Sequence, residues 1–403
     1  MLLLEKKRYP REKTCGDGLT PRAVHQLDEM GLSEALARHH RFSGLRSIAF
    51  GRTLELEWPE TPGFPRHGYV VTRHDLDQLV AERAVKAGAT LWEASEAVAP
   101  LLDDDGRVTG AVVKHKPDGA AAPIAAPNGT TEVRARYVVV ADGANSRFGR
   151  ALGTSRNRAW PQGMAIRGYY TSPRHDEPWI ESHLDVRDPA GHVLPGYGWI
   201  FPVGDGRVNV GVGLLSTFSQ WKSVNTSKLM DAFVDWAPKS WGIAPETSCG
   251  PPTGGRLPMG MSVGPSVGTN WLATGDAVGA INPFNGEGIA YAYETGRFAA
   301  ASVAAALASG DDRDLRTYDE RIQAEYALYF KVARAFVHII GRPALMRALV
   351  GTGMHSRTLM EWVLRIMANL LRPDELGPAE AAYKAVAAIA RMTPDRRRAA
   401  LPG

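Results

Sequence analysis

The chain has 403 residues, of which 44% are hydrophobic, 8% aromatic and 22% charged, and these proportions exclude a disordered, collagen-like or coiled-coil protein. Its two cysteines, Cys15 and Cys249, are too few for a disulfide framework and favour a reducing compartment. The formal net charge is +4 and no nucleic-acid-binding module is recognisable, so we expect no nucleic-acid partner.

The first 155 residues alternate between predicted strands and helices. A short apolar strand, Leu2–Leu4, ends in an acid, Glu5. The following elements are a helix over 20–30, strands within 42–58, a helix over 73–87 and strands at 91–98, 110–114 and 132–140, with a polar insertion at 117–130. Such alternation is typical of a mixed α/β domain.

The second part of the chain begins with a β-rich block. Residues 160–250 alternate between predicted strands and turns with many aromatic residues. A buried strand over 271–276 again ends in an acid, a long helix follows over 288–309, and helices dominate to the end. An α/β frame interrupted in this way predicts a nucleotide-binding domain with a substrate domain inserted into it.

Acidic residues stand at the ends of three predicted strands. Glu5, Asp142 and Asp276 can each accept hydrogen bonds from ligand hydroxyls, while Gly143 and Gly275 allow the backbone to approach a phosphate or sugar. The simpler interpretations stay open: a solvated strand end for Glu5 and an ordinary Asp-Gly turn at residue 142.

The third acid has the most specific context. Pro283 and the run Asn285-Gly-Glu-Gly288 follow it and open the long helix. Glycines leave the first N–H groups of the helix free to face a ligand, and their partial positive charge suits an anionic group such as a reduced flavin. The alternative is a glycine-rich loop that only caps the helix.

Together these segments resemble the geranylgeranyl reductase family, which has the flavoprotein hydroxylase-like fold. The resemblance rests on Glu5, the run Arg8-Tyr-Pro-Arg-Glu-Lys-Thr-Cys-Gly-Asp-Gly-Leu-Thr-Pro-Arg-Ala, Asp142-Gly143, Gly275-Asp276, and Pro195-Gly-Tyr-Gly-Trp-Ile-Phe-Pro followed by Gly211-Val-Gly213. It covers about residues 1–310. It is nearest to the actinobacterial branch that saturates one isoprene unit of menaquinone.

The resemblance implies a fold class and a domain arrangement. The fold would be α/β, with a Rossmann-like FAD-binding domain formed by residues 1–41, 65–155 and 256–310. An antiparallel-β substrate domain, formed by residues 42–64 and 156–255, would be inserted into it, and residues 311–403 would form a C-terminal helical region. FAD would be the cofactor, with NAD(P)H or another reductant as a transient electron donor and a prenylated small molecule as the substrate.

The resemblance also assigns roles to individual residues. The cofactor would be bound by Glu5, Lys6, Gly16, Asp17, Gly18, Arg73, Asp142, Gly143, Gly275, Asp276, Pro283, Gly286, Glu287, Gly288 and Ile289. The substrate would be bound by Tyr197, Trp199, Phe201, Pro202, Gly211 and Gly213. Catalysis would involve Cys15, Tyr197 and Trp199, and no metal is expected.

The implied chemistry needs an apolar, aromatic site. An isolated alkene accepts hydride poorly, so protonation would come first and hydride from reduced FAD would quench the cation. Tyr197, Trp199 and Phe201 lie at i, i+2 and i+4 and share one face of a strand, where ring quadrupoles can stabilise positive charge. Tyr197 and Cys15 are candidate proton donors. A core stripe and a small apolar filler are the alternatives for the aromatic residues and Cys15, and a solvated helix start is the alternative for Arg73.

One family feature is missing from this sequence. The family places a strand and a Gly-x-Gly-x-x-Gly turn about 30 residues before the position of Glu5, and no such turn occurs here. That turn would bind the pyrophosphate at a helix N-terminus. We therefore hypothesise a truncated N-terminus, with Met1 a late start and the missing strand encoded upstream of it.

The C-terminal part of the chain is basic and amphipathic. Residues 331–403 contain 12 Lys and Arg against 5 Asp and Glu. Such helices either pack on the substrate domain or contact an anionic membrane surface. We expect a cytoplasmic protein, peripheral on the inner face of the cell membrane in the second case.

The sequence thus predicts an FAD-dependent oxidoreductase that reduces an isoprenoid double bond, most specifically in the side chain of menaquinone. One alternative is an FAD-dependent monooxygenase of an aromatic or polycyclic substrate, because one fold serves both chemistries. Another is a truncated remnant that binds no flavin.

Overall fold

The computed structural model describes residues 1–116, 129–371 and 377–392. Most of the predicted polar insertion, residues 117–128, lies outside them. The described helices are α1 (Pro21–Glu29), α2 (Ser33–Leu36), α3 (Arg73–Lys86), α4 (Arg147–Ala151), α5 (Thr226–Trp236), α6 (Ile289–Ser309), α7 (Arg316–Ile340), α8 (Pro343–Gly353), α9 (Arg357–Met367) and α10 (Pro378–Met392).

The strands fall into one large sheet and several small ones. They are β1 (Leu2–Leu4), β2 (Gly18–Leu19), β3 (His40–Phe42), β4 (Gly44–Ala49), β5 (Arg52–Glu57), β6 (Gly68–Val70), β7 (Thr90–Trp92), β8 (Ser95–Leu102), β9 (Val108–His115), β10 (Thr130–Arg134), β11 (Val138–Val140), β12 (Ser155–Arg156), β13 (Gln162–Thr171), β14 (Trp179–His183), β15 (Gly196–Pro202), β16 (Arg207–Leu215), β17 (Thr253–Pro258), β18 (Val263–Gly264) and β19 (Trp271–Ala273).

Two short parallel pairs lead into the predicted strand-end acids. β1 pairs with β7, and β11 pairs with β19. Among the described residues the two pairs share no hydrogen-bonded strand, so they form two separate sheets. Their Leu and Val runs are typical of buried parallel strands, yet Val139 in β11 remains 44% exposed.

The inserted block forms a seven-stranded sheet. Its strand order is β17-β13-β16-β15-β14-β4-β5 within the described part of the chain. α5 packs on this sheet and contributes Leu229 and Phe233 to a separate core. The predicted α/β fold with a β-rich insertion is confirmed, but one pairing differs, because β14 and β4 run parallel. β4 belongs to the 42–64 segment and is not joined to β14 by a hairpin, so no turn forces the two strands to be antiparallel.

The C-terminal helices pack onto the rest of the molecule. α7 lies against α6, and α10 lies against α7. α9 buries Met360 and Leu364 in the cluster that contains Phe42. The predicted helical C-terminal region is therefore confirmed, with part of its apolar surface used for internal packing.

A buried ion pair fixes the start of the molecule to the long helix α6. Arg22 in α1 donates through Nη2 to Glu294 Oε2 at 3.0 Å, and Gln26 donates to the same carboxylate at 3.4 Å. Tyr326 in α7 also donates to it. The helices α1, α6 and α7 therefore meet at one carboxylate. Because Glu294 is only 3% exposed, this carboxylate is desolvated.

Replacing Glu294 by Gln should test this contact. The variant keeps the shape of the side chain but leaves the Arg22 guanidinium buried without its counter-charge. We expect the free energy of unfolding, measured by urea denaturation, to fall by about 3 kcal/mol. Glu82→Gln, at an exposed position of α3, is the matched control and should change it by less than about 0.5 kcal/mol. Equal losses in the two variants would contradict this role.

Candidate active site

Residues 15–18, which we call the Cys15 loop, lead into β2. Asp17 is fully buried and has a left-handed backbone with φ of 65°, a conformation that costs a residue with a side chain about 1 kcal/mol. Its Oδ2 accepts hydrogen bonds from the Tyr169 hydroxyl at 2.5 Å and from Asn209 Nδ2 at 2.7 Å. Burial raises the pKa of the Asp17 carboxyl to about 6. The Cys15 loop is therefore held in a strained conformation by side chains of the large sheet.

The glycines of the Cys15 loop allow it to lie directly on aromatic rings. A Cβ at Gly16 would come within 3.2 Å of the Phe201 ring and 3.4 Å of Trp199 Nε1. A Cβ at Gly18 would come within 3.1 Å of the Phe201 ring. Backbone and rings thus pack without a side chain between them.

Tyr197, Trp199 and Phe201 form what we call the aromatic face of β15. The ring centroids of Tyr197 and Trp199 are 5.7 Å apart, and those of Trp199 and Phe201 are 6.3 Å apart. On the neighbouring strand Gly213 pairs with Tyr197 and Gly211 with Trp199. A Cβ at Gly211 would lie 2.2 Å from the Trp199 ring, so glycine is needed there to leave room for the indole. Pro202 is buried and ends the strand.

The aromatic face reaches the loop before α6 through one hydroxyl. Tyr197 donates to the Asn285 carbonyl oxygen at 2.9 Å, and burial raises the pKa of the phenol to about 12. Gly286 has φ of 76°, and a Cβ there would lie 2.9 Å from the Tyr197 hydroxyl. The glycine at 286 therefore serves both the turn and the close approach.

α6 begins at Ile289 without a side-chain cap on its first N–H groups. Gly288 is the N-cap residue, and a Cβ there would lie 3.3 Å from Asp276 Oδ1. Asp276 is also 3.6 Å from Lys13 Nζ, and Pro283 is buried close to Gly260. The N-terminus of α6, the Asp276 carboxylate and the Lys13 ammonium group therefore lie close together near the Cys15 loop.

Glu287 places a buried carboxyl beside this helix start. Its Oε1 accepts a hydrogen bond from Thr20, the N-cap of α1. Its Oε2 is buried and has no hydrogen-bond partner among the described residues. Burial raises the pKa of Glu287 to about 7, and nearby Glu294 acts in the same direction while Arg22 opposes it. A buried polar atom without a partner is the feature expected where a ligand group will bind.

Glu5 and Arg73 belong to a chain of ion pairs. Glu5 accepts from Arg11 at 2.9 Å, and Arg11 also donates to Asp77 at 2.7 Å. Asp77 in turn binds Arg73, the first residue of α3, at 2.7 Å. Burial raises the pKa of the Cys15 thiol, and the positive charge of Arg73 lowers it. Arg73, at the end of this chain of ion pairs, is therefore close enough to the Cys15 loop to act on the thiol. The neighbour of Glu5, Lys6, is exposed.

Asp142 and Gly143 lead into a turn over residues 143–146, in which the Ser146 N–H donates to the Gly143 carbonyl oxygen at 3.0 Å. Asp142 Oδ2 accepts the backbone N–H of Phe148 at 3.1 Å at the start of α4. Gly143 has φ of 83° and open space where a Cβ would lie. The pair therefore stands at the start of a turn whose central residues are Ala144 and Asn145, and its predicted contact with a cofactor stays a prediction.

Several side chains at the site were not predicted from the sequence. Asn209, Tyr169 and Arg167 hold the Cys15 loop, Thr20 binds Glu287, and Asp77 links Arg11 to Arg73. Asn209 had a signal that could have identified it, because it lies two residues before Gly211 and so shares its face of β16. The other four have no pattern in a single sequence that distinguishes them from surface polar residues.

Comparisons with known proteins agree with this geometry. A family model described as an FAD binding domain matches residues 1–166. The chain is 38% identical to a protein named menaquinone reductase from Mycobacterium tuberculosis, over 98% of this chain and 91% of the relative. It is also 38% identical to a menaquinone reductase from Mycolicibacterium smegmatis, over 93% of this chain and 87% of the relative. A digeranylgeranylglycerophospholipid reductase from Methanopyrus kandleri is 29% identical over 84% of each chain.

Solved structures show the same fold. A geranylgeranyl bacteriochlorophyll reductase-like protein from Thermoplasma acidophilum superimposes with a TM-score of 0.74 at 22% identity, covering 96% of this chain and 92% of that one. A flavin-dependent brominase gives a TM-score of 0.69 at 19% identity, covering 97% and 93%. The relatives that are more than 30% identical match this chain over most of their length and are named reductases. The chain therefore belongs to the geranylgeranyl reductase family of FAD-dependent oxidoreductases.

Proposed function

We propose that the chain reduces a carbon–carbon double bond in the isoprenoid side chain of menaquinone. The observation that carries this proposal is the 38% identity, over nearly the whole chain, to proteins named menaquinone reductase. The aromatic face next to the Cys15 loop supports it, because a prenyl chain is apolar and needs an apolar, aromatic binding surface.

The residues at the start of α6 fit FAD. The uncapped N–H groups of α6 and the Lys13 ammonium suit the anionic parts of the coenzyme. The Glu287 Oε2, which is buried without a partner, offers a hydrogen-bonding position beside them. We propose that the predicted set around Asp276 and Gly286–Gly288 holds the coenzyme.

The chemistry divides between coenzyme and protein. Reduced FAD supplies a hydride, and saturating an alkene also requires a proton on the second carbon. The Trp199 and Phe201 rings exclude water and stabilise positive charge on the substrate. The Cys15 thiol stays protonated at neutral pH because burial raises its pKa, so it carries a proton next to the aromatic face, although the same shift makes it a weaker acid. Tyr197 as the donor stays a prediction, since its O–H is engaged with the Asn285 carbonyl.

One expectation completes this proposal. NAD(P)H or another reductant would supply the electrons transiently, since no second dinucleotide motif occurs in the sequence.

We further propose that α8 touches an anionic membrane surface. Leu345 and Leu349 are 40% and 49% exposed and lie one helical turn apart, and the exposed N-cap residue Arg342 lies three residues before Leu345, on the same side of the helix. Apolar side chains next to an arginine suit the surface of an anionic leaflet, whose hydrocarbon core dissolves the isoprenoid chain of a quinone. Within the described residues no helix is long and apolar enough to cross a membrane.

Incubating the FAD-loaded protein with a chemical reductant and menaquinone in detergent tests the activity. We expect mass spectrometry to detect a quinone heavier by two hydrogen atoms. Cys15→Ser should lower the rate at least about tenfold, because it weakens a proton donor at the aromatic face. Cys249→Ser, at an exposed position, is the matched control. An unchanged quinone mass, together with oxygen consumption when NAD(P)H replaces the chemical reductant in air, would favour the monooxygenase alternative.

The raised pKa of Glu287 predicts a pH-dependent stability. The carboxyl pKa is about 7 in the folded chain and near 4.5 in the unfolded chain. The contribution of the protonated carboxyl to the free energy of unfolding is therefore full at pH 4 and is lost as the pH rises through 7. Glu287→Gln should therefore be more stable than the unsubstituted FAD-free protein at pH 8, by about 2 kcal/mol, and nearly equal at pH 4.5. Urea denaturation at both pH values measures this. A difference that does not change with pH would contradict it.

Flotation with phosphatidylglycerol vesicles tests the membrane contact. The double variant Leu345→Glu, Leu349→Glu should lower the bound fraction about tenfold, since it removes apolar contacts and adds negative charge. Leu102→Glu, Leu307→Glu is the matched control, because these leucines are 51% and 50% exposed elsewhere on the protein. Equal binding of both double variants would refute the proposed surface.

A further inference from the structure

We infer that Asn209 is a positioning residue that locks the Cys15 loop to the aromatic face through three hydrogen bonds of one amide. No role for Asn209 follows from the family motifs in the sequence. The inference rests on the proposed function only for its effect on catalysis, because the contacts themselves are independent of the substrate.

The three contacts join segments that are far apart in the sequence. Asn209 Nδ2 donates to the Cys15 carbonyl oxygen at 2.9 Å and to Asp17 Oδ2 at 2.7 Å. Its Oδ1 accepts the indole N–H of Trp199 at 2.9 Å. One side chain therefore sets the distance between the loop that carries the thiol and the ring that faces the substrate.

The orientation of the amide is determined by its partners. The Trp199 indole N–H can only donate, so it must face Oδ1. The carbonyl of Cys15 and the carboxyl of Asp17 then face the two hydrogens of Nδ2. Aspartate offers no NH₂ group for these two acceptors, and leucine offers no polar group. Among side chains of this size, only Asn supplies two donors and one acceptor in this arrangement.

Burial makes this arrangement stiff. Asn209 and Asp17 are 0% exposed and Trp199 is 5% exposed, so water does not compete for the hydrogen bonds. Arg167 Nε adds a second donor to the Cys15 carbonyl at 3.1 Å, and Tyr169 adds a second donor to Asp17. The Cys15 peptide is thus held from the side of the sheet, which fixes the backbone position from which its thiol projects.

Alkylation of Cys15 by iodoacetamide measures this positioning without any turnover. All variants carry Cys249→Ser, so that only Cys15 reacts. We expect Asn209→Ala to speed alkylation at least tenfold, because the released loop exposes the partly buried thiol. The matched control is Asn270→Ala: Asn270 is also 0% exposed and makes three hydrogen bonds, to Val108 and Arg136. Equal alkylation rates in the two alanine variants would overturn the inference.

A second variant keeps the test decisive if Asn209→Ala does not fold. Trp199→Phe leaves both Nδ2 contacts in place and removes the indole donor together with part of the ring volume, so Cys15 alkylation should rise less than threefold. Asn209→Ser, which loses one donor and shortens the side chain, should raise it at least threefold more than Trp199→Phe. The reverse order would refute the assignment.

Steady-state measurements relate the contact to catalysis. In FAD-loaded protein, Asn209→Ser should lower kcat at least tenfold, leave KM for the quinone within threefold, and shift the flavin absorbance bands. An unaltered kcat and flavin spectrum would refute the positioning role. The two proposals can fail separately. If neither the unsubstituted protein nor any variant reduces menaquinone, but Asn209→Ala still speeds alkylation, the proposed function is wrong and the positioning role of Asn209 stands.

Discussion

The site depends on the close approach of the Cys15 loop to the aromatic face of β15. The backbone at Gly16 and Gly18 lies so near the Phe201 ring that a Cβ at either position would be 3.1–3.2 Å from it, closer than an ordinary van der Waals contact. A left-handed Asp17 between the two glycines is the cost of this approach. Hydrogen bonds from Tyr169 and Asn209 of the large sheet offset that cost, so the inserted sheet stabilises the loop.

The same approach explains why the site combines segments from the whole chain. The Cys15 loop comes from the first twenty residues, the aromatic face comes from the inserted sheet, and the third wall comes from the turn before α6. The Arg22–Glu294 ion pair fixes α1 to α6, and Thr20 at the start of α1 binds Glu287 just before α6. The packing of α1 on α6 therefore holds the Cys15 loop and the turn before α6 in a fixed relative position.

Much of the frame could be predicted from the sequence, because it depends on local patterns. The helices predicted over 20–30 and 73–87 correspond to α1 and α3, and the end of the strand predicted at 132–140 corresponds to β11. The alternation of Tyr197, Trp199 and Phe201 correctly predicted a shared face, because side chains alternate strictly along a strand. These features need only neighbours along the chain.

The remaining features depend on contacts across the fold. The parallel pairing of β4 with β14 and the separation of the two parallel pairs are tertiary outcomes that no local pattern encodes. Glu5 was expected to face a ligand, and in the structure its carboxylate binds Arg11. Asn209 looks like any polar residue of a strand until the Cys15 loop is placed beside it. A single sequence shows which residue types recur with the spacing of a helix or a strand. It does not show which acceptor, distant along the chain, a buried amide such as that of Asn209 will contact.

The hydrogen bond from Tyr197 to the Asn285 carbonyl has a consequence for engineering. It couples the aromatic face, which we propose binds the prenyl chain, to the turn that precedes α6, so the two cannot be altered independently. Moving β15 to enlarge the space beside the aromatic face would also displace that turn, which we propose holds the coenzyme. Variants meant to accept longer or shorter isoprenoids should therefore keep this hydroxyl and alter the rings on either side of it.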